Sequence, residues 1–79
     1  MRVIGEIPHP DSKITLFSWN NRYLIKLEQV LLEQTYKIDQ FELTGEQDLQ
    51  KIVNDEFIND ALKGFSSMVK TLQRSLENL

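Results

Sequence analysis

At 79 residues, the chain lies near the lower limit for a domain that folds without disulfides or metals. It has no cysteine, which excludes a disulfide framework and any cysteine-ligated zinc or iron–sulfur centre. A formal net charge of −3, with acids and bases spread over both halves, gives no global attraction to nucleic acid or anionic lipid.

No apolar run approaches the ~20 residues that span a bilayer. Met1 to Ile7 is too short and too broken by charge to be a signal peptide. A cytoplasmic protein without membrane association is expected. The layout expected is a single α+β domain over residues 1–79, with a sheet in about 2–38 and helices in about 45–78.

The first element is a strand from Arg2 to Ile7, closed by the loop Pro8-His9-Pro10-Asp11-Ser12, because proline cannot donate to a strand ladder. Folding back about that loop sets Ile7 opposite Ile14 and Gly5 opposite Leu16. Val3 then falls on the same side and Ile4 on the other. Gly5 marks a bulge or a close approach by another element.

A hairpin follows around Asn20-Asn21, since asparagine tolerates the positive φ of a two-residue turn. That turn pairs Trp19 with Arg22, a cation–π geometry, and Phe17 with Leu24, Thr15 with Lys26 and Lys13 with Glu28. The other face receives Ser18 with Tyr23, Leu16 with Ile25 and Ile14 with Leu27. One register yields an apolar face and an opposite-charge pair together, and a slip of one residue would scramble both.

Leu32 to Ile38 alternates as a fourth strand, with Leu32, Gln34, Tyr36 and Ile38 on one side. A turn near Gln29-Val30-Leu31 would set Tyr36 against Tyr23 and Glu33 against Lys26. No residue there favours a turn, and a short helix over Leu27 to Ile38 is the competing reading.

The period then changes. Thr44-Gly45-Glu46-Gln47 has the form of a capping box, with Thr44 as N-cap and Gln47 reaching back to its backbone N–H. The first helix ends at Asn54-Asp55 or at Asn59-Asp60. A second, long helix runs to about Asn78, with Gly64 its weak position.

Along that helix Ile58, Leu62, Phe65, Val69, Leu72, Leu76 and Leu79 recur at four- and three-residue steps, widened by Ala61 and Met68. Lys63, Lys70 and Arg74 fall on its polar side. The stripe is expected to cover the sheet's apolar face, with Leu72 in the core. The resulting class is an antiparallel meander of three or four strands followed by two C-terminal helices, the last one long.

No chemical constellation emerges. His9 is the sole histidine, isolated in a proline loop, and metal binding would need partners for it. The acidic residues, among them Glu42 with Glu46 and Asp55 with Glu56, read as caps and solvated helix faces rather than a catalytic pair. Ser66, Ser67 and Ser75 have no neighbouring base, and Gly5, Gly45 and Gly64 are too scattered to cradle phosphate. No catalytic residue, metal ligand, cofactor or small-molecule ligand is expected.

The candidate interaction face is the second face of the hairpin, carrying Phe17, Trp19, Arg22, Leu24 and Lys26, with Lys13 beside them. Glu28 is the one acid on those two strands. A sheet with apolar residues on both faces exceeds what two helices cover. The leading expectation is therefore a non-enzymatic module docking on another protein or on a second copy of itself, through this face or through the C-terminal helix. Aromatic rings interleaved with bases also form stacking platforms, so single-stranded nucleic acid is the alternative occupant.

Overall fold

The computed structural model describes residues 1–79. Four strands, β1 (Arg2–Ile7), β2 (Lys13–Trp19), β3 (Arg22–Glu28) and β4 (Glu33–Asp39), form one antiparallel sheet in the order β1-β2-β3-β4. A 3₁₀ turn at Gln40–Glu42 leads to a short helix α1 (Gln47–Ile52) and a long helix α2 (Asp55–Glu77). Neither helix is long and apolar enough to cross a membrane.

The central hairpin adopts the register its side-chain pattern dictates, with all seven pairs from Lys13–Glu28 to Trp19–Arg22 formed. Asn20 and Asn21 take φ of 53° and 61°, the left-handed pair of a turn that matches strand twist. Trp19 and Arg22 are partners in register, but the ring contact of defined geometry lies elsewhere. It is an edge-on approach of Tyr36 to Phe57, with centroids 5.0 Å apart.

On the first strand, Ile7 faces Ile14 and Gly5 faces Leu16, and the register then slips so that Val3 faces Phe17. Ile4 is the extra residue of this bulge. The slip exchanges the two faces: Ile4 packs on the core, whereas Val3 is exposed on the outer face. The placement expected from simple alternation is thus reversed. Nothing lies within 4 Å of where a Cβ of Gly5 would sit, so the glycine marks a bulge and not a close approach.

Residues 33–39 are a strand, not a helix. Their partners differ from the expected ones by two residues, with Tyr36 opposite Ile25 and Ile38 opposite Tyr23. An even shift keeps each side chain on its face, which is why the alternation was legible and the partners were not. The Lys26–Glu33 attraction survives diagonally at 3.4 Å. The Gln29 N–H donates to the Leu32 carbonyl at 2.9 Å and closes the turn, leaving Val30 and Leu31 at its tip. Neither takes positive φ, so no glycine or asparagine is required.

The capping box does not form. Asp48, not Gln47, reaches back to Thr44 and accepts from its N–H at 2.9 Å and its hydroxyl at 2.7 Å. Gln47 instead folds over Gly45. Between the two expected boundaries, the structure selects Asn54, whose side chain accepts from the Phe57 N–H at 2.9 Å and caps α2.

Both helices lie on the inner face of the sheet. Ile14, Leu16, Ile25 and Leu27 meet Leu49 of α1, Val53 at the C-terminal cap of α1, and Ile58, Ala61 and Phe65 of α2 in one core cluster. Leu62 and Met68 pack against its margin. Beyond them α2 outruns its support. A helix of 23 residues is ~35 Å long, whereas strands of six or seven residues span only ~23 Å. The expectation that Leu72 belongs to the core is therefore overturned: it is 39% exposed, and Leu76 is 57% exposed.

Candidate functional site

Two surfaces carry apolar residues that the chain itself leaves open. The first is the outer face of the sheet, which neither helix covers. It holds every residue of the candidate interaction face, though not equally. Trp19 is 46% exposed and Arg22 is exposed, while Phe17 and Lys26 are half-buried. Leu24 is only 5% exposed, sheltered by its strand neighbours Phe17 and Lys37. A shallow hollow of about 250 Å³ joins Met1, Phe17, Trp19 and Leu24.

The electrostatics of this face change once the edge strands are added. Glu6 stands opposite Thr15, Glu33 opposite Glu28 and Asp39 opposite Arg22, and the edges supply only Lys37 in return. The bases Lys13, Arg22, Lys26 and Lys37 are thus matched by Glu6, Glu28, Glu33 and Asp39. Lys26 itself lies 3.4 Å from Glu33 and 3.8 Å from Glu28. It bridges two acids that would otherwise repel across β3 and β4. The local basic character read from the two central strands is neutralised in the full sheet.

The second surface joins the C-terminal helix, which the sequence offered as a docking element, to a turn that it did not single out. It is the overhanging end of α2 together with the β3–β4 turn. Val69, Leu72, Leu76 and Leu79 stay exposed along the helix, and Val30 and Leu31 stand 98% and 82% exposed at the turn. The two parts adjoin. Val30, Leu31 and Val69 line one open groove of about 710 Å³. Leu32, Met68 and Leu72 line a second of about 720 Å³, and Leu32 borders both. The sequence signal was present, since a two-residue turn of two large aliphatics buries nothing of its own.

The groove also receives the β1–β2 loop, where the expected isolation of His9 is replaced by a local role. Its Nδ1 accepts from the Asp11 N–H at 3.1 Å. Ser12, nearly buried, donates its hydroxyl to the Glu28 carbonyl at 2.9 Å and fastens the loop to β3. No three histidine, aspartate or glutamate side chains converge anywhere in the structure.

One carboxylate is electrostatically distinctive. The two Thr44 hydrogen bonds, with a smaller contribution from Lys51, hold Asp48 below the ordinary aspartate value of 3.8. This group closes the start of α1. Nearby, the Arg2 guanidinium pairs with Glu46 and ties the first strand to the same segment. These contacts secure the α1 end of the sheet, away from the exposed end of α2.

Comparison with protein-family models, curated proteins and solved structures finds no match to this chain.

Proposed function

We propose that this is a small non-enzymatic protein-docking module, placed in the cytoplasm, that binds another protein chain through the overhanging end of α2. The observation that carries this reading is the split of a single helical stripe. Ile58, Ala61 and Phe65 are buried on the sheet, whereas Val69, Leu72 and Leu76 continue the same face into solvent, Val69 beside Val30 and Leu31 and Leu72 beside Leu32. Monomeric proteins rarely leave so large a contiguous aliphatic surface uncovered. The lack of cysteine fits a reducing compartment.

The sheet face is the weaker docking surface, because Leu24 is already sheltered and its charges are balanced. For the same reason single-stranded nucleic acid is a poor occupant: phosphate binding depends on an excess of bases. Affinity capture from the native host's lysate tests the module, with Leu76→Glu and Trp19→Ala as controls. Partners retained by wild type and Trp19→Ala but lost with Leu76→Glu support it. Loss with Trp19→Ala alone would move the docking surface to the sheet, and a bait that retains neither another protein nor a second copy of this chain sinks the reading.

A further inference from the structure

We infer that the occupant of the α2 surface is a second copy of this chain, paired antiparallel, an inference that rests on the docking reading above. Three observations select that occupant.

The first is spacing. Val69, Leu72, Leu76 and Leu79 follow one another at steps of three, four and three, a palindrome. Turned end for end, the stripe superposes on itself. Val69 then meets the partner's Leu79, and Leu72 meets the partner's Leu76. A two-fold interface requires this self-complementarity. The same overlay brings the partner's Leu79 into the groove that Val69 shares with Val30 and Leu31. Each turn tip is thereby covered by the other helix's end. A parallel pair would set Val69 against its own copy and leave each Leu79 far from either turn.

The second is charge. At ~100° per residue, Lys63, Lys70 and Arg74 fall on the side of α2 away from the stripe, and all are exposed. The residues bordering the stripe are Ser66, Gln73 and Ser75, all uncharged. A partner chosen by opposite charge would find nothing along this part of the helix to pair with, the charges of the surface being Asp11, Lys13 and Glu28 in the groove at the turn. A second copy brings the same neutral border and meets no like-charge repulsion along the seam.

The third is area. Val30, Leu31, Val69, Leu72, Leu76 and Leu79 together hold on the order of 700 Å² of open surface, more than the ~300–600 Å² of the largest patch on a typical monomer and close to the ~800 Å² each partner contributes to a standard interface.

The test is the mass in solution, measured by light scattering coupled to size exclusion between about 1 and 200 μM. The expected result is a dimer of twice the 9.3 kDa chain mass. Leu76→Glu should return it to 9.3 kDa with an unchanged far-UV circular dichroism spectrum, because Leu76 lies beyond the core. Leu31→Asp, at the turn and outside the helix, should weaken the dimer at least ~10-fold, so the outcome does not hang on one variant. A spin label at Lys63→Cys, on the outward side, should report ~35 Å between copies in the antiparallel pair.

A chain that stays at 9.3 kDa throughout overturns the inference. So does a dimer indifferent to both variants, or a label distance below ~20 Å, the value for a parallel pair. Should the chain prove monomeric while wild type, but not Leu76→Glu, retains a different protein from lysate, the dimer fails and the docking reading stands.

Discussion

Gln34 of β4 donates its amide Nε2 to the Ala61 carbonyl of α2 at 2.7 Å, a side chain of the edge strand fastened to the backbone of the long helix. The Tyr36 hydroxyl donates to the Gln34 Oε1 at 3.0 Å, so both ends of the amide are held. A Cβ at Gly64 would lie 3.2 Å from that Nε2, which explains why the weakest helix former of α2 stands one turn from Ala61. The contact lies within the supported half of the helix, ahead of Phe65 and Met68.

A double-mutant cycle measures this relationship. Gln34→Ala should cost about 1 kcal/mol, the net worth of a hydrogen bond of this kind. Gly64→Ala alone should be nearly neutral, because its helix-propensity gain of up to ~1 kcal/mol is offset by displacing the amide. In the Gln34→Ala background the full gain should appear. Urea denaturation of the four proteins reads the coupling. If Gly64→Ala stabilises equally in both backgrounds, the amide is not held against the helix.

Truncations along the stripe should fall into two classes. Phe65→Ala, at a core position, should cost roughly 3–5 kcal/mol. Leu72→Ala should cost under about 1.5 kcal/mol when measured at concentrations where the chain is monomeric, since much of that side chain already faces water. Equal costs at the two positions would place Leu72 in a core that the structure denies it.

Asp48 should titrate below the ordinary value of 3.8 when its carboxyl is followed by NMR. A depressed value in the folded state means the carboxylate favours folding at all pH above the unfolded value, and that this contribution fades as pH falls through the folded one. The effect is therefore confined to the acid side of 3.8. Thr44→Ala, which removes the hydroxyl bond, should move the midpoint upward. A midpoint unmoved by that change would assign the depression to something other than Thr44.

Trp19 offers an optical probe of the outer sheet face. With its four bases matched by four acids, a single-stranded oligonucleotide at low salt should leave the Trp19 emission unchanged. Quenching that weakens steeply with added salt would restore the face as a stacking platform and demote the α2 surface.

The sequence by itself determined the hairpin. Asn20 and Asn21 fix a turn, and the side chains on either side agree on one register, so local chemistry and pattern suffice. It also determined the order of meander before helices, and which residues of β4 and α2 share a face, because those follow from periods of two and 3.6. The start of α1 escaped it, since Gln47 and Asp48 both lie within reach of Thr44 and only their rotamers separate them.

Only the tertiary structure decided the rest. The bulge at Ile4 exchanged Val3 for Ile4 on the core face, because one extra residue inverts everything beyond it. The edge strands turned a basic patch into a neutral one by adding acids from positions distant in sequence. Above all, periodicity shows which side of α2 is apolar but not where the sheet beneath it stops. The strands end after about seven residues and the helix continues, so half of one uniform stripe became core and the other half an open surface.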